Sequence, residues 1–192
     1  DGVEEGIVKG MYLFSEQGGA KAPAVRLFGS GTILLEAIAA AAMLVEDCGV
    51  RVQVWSLTSA TELARDIQDV GRWNLLHPTS EPKQAYVAQC MNENAGKKWM
   101  GTPVIAVSDY MKALPEQLRS AIDAPFHVLG TDGFGRSDTR EKLRHFFEVD
   151  RRFIVLAALG QLLRAGKIDA KVVEKAQADL QLDAEKSNPR LV

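Results

Sequence analysis

The sequence predicts an α/β domain with a mostly parallel sheet of four or five strands, finished by helices. Three observations carry that prediction. The first is a strand, a helix and a second strand packed into about 35 residues, 24–57, the βαβ unit that crosses over right-handedly and sets its strands parallel. The second is a pair of later runs, TPVIAVSD and APFHVLG, each strand-like and each preceded by helical sequence. The third is the chain from residue 138 onward, where apolar residues recur at helical spacing almost to the end.

In chain order, PAVRLFGSG gives a short strand over 24–28 and a turn at Gly29 and Gly31, and the alanine-rich run 33–47 gives a long helix. Gly49 falls where a helix C-terminus favours glycine, because a left-handed backbone there carries no Cβ clash. VRVQVWSL, 50–57, is a strand on its β-branched and aromatic content. TSATELARDIQDVGRWNLLHP is helical, expected to break near Gly71 and to end before Pro78, and a second helical piece runs from 82 to about 92. A polar loop, NENAGKKWMG, leads into TPVIAVSD. DYMKALPEQLRSAI reads as one helix with Pro115 in its first turn, where the missing N–H costs nothing. After the strand APFHVLG, helices are expected over 139–147, 151–165 and 170 to about 180, and the tail DAEKSNPRLV is expected on the surface. RRFIVLAALGQLL is apolar almost all round, so its helix should be buried between other elements or subunits.

Composition narrows the function classes. Apolar residues make 46% and charged residues 25% of the 192, the balance of a soluble globular domain. Lysine and arginine number 23 against 25 acidic residues, so no surplus positive charge is available to neutralise a phosphate backbone, and nucleic acid is not an expected partner. TILLEAIAAAAMLV, 32–45, is interrupted by Glu36 and is shorter than the roughly 20 residues a membrane span needs, so no membrane is expected either. Cys48 and Cys90 lack zinc-ligand spacing and form no disulfide framework, which fits a reducing cytosol. The start, DGVEEGIVKG, has no initiator Met and no signal-peptide zones, and is expected to be mid-protein sequence.

Two stretches invite a functional reading. GSGTIL follows a strand and opens a helix as a dinucleotide-binding turn does, but Leu34 stands at the third glycine position and no acid closes the second strand, which ends Trp55, Ser56, Leu57. A tight turn with Ser30 or Thr32 capping the helix is the simpler reading. GTDGFGRSDTREKLRHFFEVD, 130–150, has glycines that can take backbone angles closed to other residues, and Asp138 with Glu141 forms a D-x-x-E capping box. A loop joined to a capped helix accounts for most of it. An anion or a partner could still meet the free N–H groups beside Arg136 and Arg140, although Asp132 and Asp138 would repel an anion. The charges here, Arg136, Arg140, Lys142, Arg144, Arg151 and Arg152 among Asp132, Asp138, Glu141, Glu148 and Asp150, read as a solvated or subunit-facing ion-pair surface. His77, His127 and His145 have no Ser, Cys or second His at a spacing that suggests a triad or a metal. His127 alternates with Phe126 and Val128 and should face the opposite layer, while Trp73 and Trp99 could anchor an interface.

VRLFGSGTILLEAIAAAAML, VWSLTSATELARDIQDVGRWNLLHP, YVAQCMNE, SDYMKALPEQLRSAI, VLGTDGFGRSDTREKLRHFFEVD and KSNPRLV together resemble the C-terminal region of homodimeric-type pyruvate dehydrogenase decarboxylating components, thiamine diphosphate enzymes of the transketolase superfamily. TDGFGRSD with RWNLLHP is the specific part, and NENAGKKWMG is a local departure. The resemblance implies a three-layer α/β/α domain over 1–192 with a mixed, mostly parallel five-stranded sheet and extra C-terminal helices, residues 1–23 leading in from a preceding domain and 183–192 forming the tail. It implies a cytoplasmic oxidoreductase that decarboxylates pyruvate in glycolysis-linked metabolism and passes the acetyl unit to a lipoyl-transacetylase of a multienzyme complex. Thiamine diphosphate and magnesium would be held by preceding domains at a homodimer interface. TDG at 131–133 lacks the first glycine of a GDG and no asparagine pair follows it, so no catalytic, cofactor or metal residue carries over, and the fragment alone is not expected to be active. Asp132, Arg136, Asp138 and Arg140 are the candidates for interface or anion contact.

Overall fold

The computed structural model describes residues 2–92 and 99–192. The chain runs α1 (Glu4–Lys9), β1 (Met11–Gln17), β2 (Ala24–Ser30), α2 (Leu34–Glu46), β3 (Arg51–Leu57), α3 (Ala60–Leu76), α4 (Tyr86–Asn92), β4 (Val104–Val107), α5 (Ala113–Glu116), β5 (Phe126–Leu129), α6 (Arg140–Phe146), α7 (Arg151–Arg164) and α8 (Ala170–Asp179). The strands lie in the order β1-β3-β2-β4-β5, with β1 antiparallel to β3 and every other pair parallel. This is the mixed, mostly parallel five-stranded sheet the sequence leads one to expect. Its fifth strand is β1, in a stretch the sequence reading left without an element. MYLFSEQ sits on the sheet edge and shifts register between Leu13 and Ser15, so the period-two signal that would announce a strand is broken by an irregularity.

The sheet is covered on both faces, and the alternation of side chains assigns each residue to one. Val25 and Leu27 of β2, Val52 and Val54 of β3, Ile105 and Val107 of β4 and Leu129 of β5 enter the core shared with α2, α7 and α8. Phe28, Trp55, Leu57, Val104, Ala106, Phe126 and Val128 enter the opposite core with α3, α4 and the segment around Leu118. β3 is buried at every position, the pattern of a parallel strand with a helical layer on each side. α7 buries Ile154, Val155, Ala158, Leu159 and Leu162 against α2, α8 and the sheet, as its near-continuous apolar sequence predicts. His127, between Phe126 and Val128, lies on the α7 side with Ile105 and Val107; burial, with help from the Lys112 charge, pushes its imidazole below its ordinary value.

Several boundaries differ from expectation. α3 runs through Gly71 without a break, because a side chain there would meet open space and the helix loses only propensity. The piece expected from residue 82 begins at Tyr86, whose N–H donates to the Asp66 carboxylate at 2.6 Å. DYMKALPEQLRSAI forms only the four residues of α5, with Pro115 in its first turn, and a separate 3₁₀ turn at Arg119–Ala121. Part of the expected polar loop NENAGKKWMG, residues 93–98, lies outside the described residues. Trp99, expected as an interface anchor, is 2% exposed and lies under the guanidinium groups of Arg51 and Arg26, at 4.2 and 5.7 Å from its ring centre. Its indole covers two buried cations of the same chain, which a polar flank in the sequence does not reveal.

Gly29 is the last residue but one of β2, and α2 starts almost on top of it: a Cβ there would stand 2.7 Å from Leu34 Cα. Gly29→Ala should therefore lower stability by about 1–3 kcal/mol, the usual cost of overpacking, read as a lower urea midpoint at unchanged slope. A midpoint equal to wild type would show that the turn can move.

Candidate functional site

β2, β4 and β5 are parallel, so their C-terminal ends, Ser30, Val107 and Leu129, open on the same side of the domain. From β2 the chain turns to α2 on one face, whereas from its neighbour β4 it turns to α5 and Leu118 on the other. Adjacent strands that send their connections to opposite faces leave a crevice between them, and that is the place where open α/β sheets bind ligands. A cavity of about 520 Å³ occupies it, lined by Thr32 after β2, Asp109 after β4, Thr131 after β5, and by Gly133, Arg136, Asp138, Arg140 and Arg144 of the loop and helix that follow.

Three of the four residues singled out in the sequence meet here. Arg136 lines the crevice with its guanidinium 4.2 Å over the Phe146 ring, and Arg140 is the exposed first residue of α6. Asp138 is on the same wall, 3.8 Å from Lys142 Nζ, and its carboxylate accepts from Thr139 N–H at 2.7 Å. The expected box between Asp138 and Glu141 is not formed. Thr139 is the N-cap instead, its hydroxyl accepting from Lys142 N–H at 3.4 Å, so the cap sits one residue later than the acid pattern suggests. Asp132 does not line the crevice; its carboxylate accepts from Lys112 N–H at 2.9 Å and pins the loop after β5 to the start of α5. Neither Ser30 nor Thr32 caps α2: a short 3₁₀ turn, Gly31–Ile33, leads in, and the Thr32 hydroxyl bridges Asp109 at 3.5 Å and Arg144 at 3.4 Å.

Behind this wall stands a group the sequence reading passed over. Glu36, 5% exposed, accepts from Arg144 Nη1 at 2.8 Å, from Arg151 Nε at 2.9 Å and Nη2 at 3.2 Å, and from the Arg151 N–H at 3.1 Å. Burial by itself raises its carboxyl, but hydrogen bonds from Arg151 and the charges of Arg151 and Arg144 hold it below the ordinary carboxylate range. The next acid along does a similar job: Asp150 caps α7 by accepting from Arg152 N–H at 2.9 Å and Phe153 N–H at 3.3 Å, and it pairs with Arg152 and with His145 Nδ1. Burial opposes its ionisation too, and the Arg152 and His145 contacts outweigh it. The signal for Glu36 was available in TILLEAIAAAAMLV as the one charge in an apolar run.

The tail supports the loop from outside. Lys186 Nζ donates to Phe146 O at 2.8 Å and to Glu148 at 3.0 Å, Pro189 is buried, and the left-handed Gly133, φ +119°, has room only for hydrogen because Pro189 O would lie 2.6 Å from a Cβ. Most of 183–192 is exposed as expected, but this proline is not. His77 stacks on Trp73 with ring centres 4.3 Å apart, away from the crevice lining.

Residues 10–150 match the family model described as the transketolase-like TK C-terminal domain. The chain is 51% identical over all 192 residues to the "Pyruvate dehydrogenase E1 component" of Escherichia coli, spanning 21% of that protein, and 52% identical over 189 residues, 98% of its length, to that of Pseudomonas aeruginosa, again 21% of the relative. Among solved structures, transketolase from Leishmania mexicana superposes with TM-score 0.55 at 20% identity, over 86% of this chain and 20% of that one. A transketolase variant from Pichia stipitis gives 0.54 at 18%, over 83% and 19%, so these structures share the fold.

Glu36→Gln should cost about 3 kcal/mol, since it leaves the partly buried Arg144 beside a neutral amide, and Arg151, half exposed, recovers part of its solvation. Glu36 and Asp150 both have depressed folded-state values, so their contribution is complete above the unfolded carboxylate value of about 4 and is lost as pH falls through the lower folded values. Urea titrations at stepped pH should show wild type losing stability below about pH 4, with a smaller acid-side loss in Glu36→Gln; equal losses in both would remove Glu36 from the account.

Proposed function

The chain belongs to the family of transketolase-like C-terminal domains, and on that premise we propose that it is the C-terminal, structural and dimer-forming domain of a pyruvate dehydrogenase. The full-length enzyme decarboxylates pyruvate on thiamine diphosphate with magnesium and transfers the acetyl group to a lipoyl-transacetylase, in the cytoplasm. Identity at about half of all positions along the whole chain, with relatives of whose length it spans 21%, is the observation that carries this reading. In it, 1–192 is a single domain, residues 1–23 lead in from the preceding domain, and the oxidoreductase activity belongs to the assembled homodimer.

The acids of the crevice are engaged within the chain: Asp138 accepts from the Thr139 N–H and meets Lys142, and Asp109 accepts from the Thr32 hydroxyl. Among the described residues no helix is long and apolar enough to cross a membrane.

One observation favours a second reading, a regulatory anion or partner-docking module: Arg136 and Arg140 face the crevice with no ion pair to a described residue. Titration calorimetry with inorganic phosphate tests it; heat abolished by Arg136→Ala would support an anion site, and no heat would dismiss it.

The principal reading is tested by exchange. Replacing the matching 21% of the Escherichia coli relative with this chain should give a chimera that assembles and decarboxylates pyruvate, while the 192-residue chain alone should bind no thiamine diphosphate at micromolar concentration. An inactive, unassembled chimera, or tight cofactor binding by the chain alone, would overturn it.

A further inference from the structure

Both faces of the sheet are closed by helices, and the large apolar side chains left exposed are spread over α1, β1, α3, the loops and the tail. Four of them are carried by the segments that line the crevice. Leu35 in the first turn of α2 is 64% exposed, Tyr110 and Met111 after β4 are 66% and 60% exposed, and Phe134 after β5 is 79% exposed. Exposed large side chains occur singly on most proteins, but a group of them around one concavity marks an interaction surface.

The backbone beneath them is fixed rather than loose. Thr131 N–H donates to Tyr110 O at 2.9 Å, the Thr131 hydroxyl to Asp109 O at 2.7 Å and Lys112 N–H to Asp132 at 2.9 Å, tying the loop after β4 to the loop after β5. Asp109 in turn meets Thr32, three residues before Leu35, and the tail's Pro189 packs closely on Gly133, next to Phe134. A backbone held in this way loses little freedom when the side chains it carries are covered, and aromatic residues such as Tyr110 and Phe134 are effective anchors on it. Arg136 and Arg140 stand on the rim, both exposed and unpaired by described carboxylates, so the surface that fits here carries apolar side chains at its centre and an acid opposite these arginines.

We propose that this end of the domain, the rim formed by Leu35, Tyr110, Met111, Phe134, Arg136 and Arg140, is where the remainder of the same enzyme docks, with a polypeptide segment bearing apolar and acidic side chains seated in the crevice. The inference rests on the reading of the chain as one domain of a larger pyruvate dehydrogenase, and it assigns the contact to a face that reading leaves open.

The Escherichia coli chimera carrying this chain provides the test, with Tyr110→Asp, Phe134→Asp and their double variant compared with Leu75→Asp, a 77% exposed position on α3. The rim variants should leave the thermal midpoint of the 192-residue chain unchanged, because the substituted side chains are already in water. They should lower assembly of the chimera, read by sedimentation, and its activity at least tenfold, whereas Leu75→Asp changes neither. An active chimera that tolerates the rim double variant would overturn the proposal and leave the functional reading intact. A chimera that never assembles, even with the unaltered chain, would overturn both. A 192-residue chain that dimerises by itself and falls apart on Phe134→Asp would also overturn it, by showing that the rim's occupant is a second copy.

Discussion

The C-terminal third of the domain hangs on one buried carboxylate. Glu36 projects from the first turn of α2, and from there it holds α6 through Arg144 and the start of α7 through both the side chain and the N–H of Arg151. A charge taken out of water this far is tolerated only when its lone pairs are filled, and four donors fill them. Because the same Arg144 also reaches Thr32, and Thr32 reaches Asp109, the ion pair sets the wall of the crevice as well as the position of two helices. Packing of Ile154, Ala158 and Leu162 on the sheet supplies the bulk of the contact, but it is non-directional; the hydrogen bonds of the carboxylate add direction where α6 and α7 meet α2.

The crevice opens at an end of the domain for a reason of topology. Two helical layers consume the faces of the sheet, and a gap opens between the parallel strands β2 and β4 because their connections leave to opposite faces. Into that gap the chain sends its most glycine-rich stretch, held from one side by Asp132 on Lys112 and from the other by Pro189 under Gly133. The acids of this stretch act mainly on backbone N–H groups. That is why a loop that carries both signs of charge leaves Arg136 and Arg140 exposed on the crevice wall.

Much of this was legible before any coordinates. β2, α2 and β3 were readable because glycines bracket an alanine-rich helix and the strands are uninterrupted β-branched and apolar runs. The burial of α7 was readable for the same kind of reason, an apolar stripe too wide for one neighbour. Where the reading failed, a local signal was overruled by a contact remote in sequence. β1 is recruited by β3 across about 40 residues despite its irregular register, Gly71 is carried through α3 by its neighbours, and Trp99 is drawn inward by the cations of Arg51 and Arg26. The candidate site shows the same division: Arg136, Asp138 and Arg140 were found from their loop, but Glu36, 108 residues from Arg144, was not.

By itself the sequence determined the class of fold, the parallel direction of the central strands, the buried last long helix and the family, since these rest on periodicity, turn chemistry and motif, all of which are local along the chain. Only the tertiary structure decided which acid is spent on a backbone N–H, which arginine remains available, and which exposed aromatic residues share one rim. Those depend on distances between segments far apart in the chain, and a hydrogen bond or a desolvated charge is decided over a few tenths of an ångström that no pattern of residues encodes.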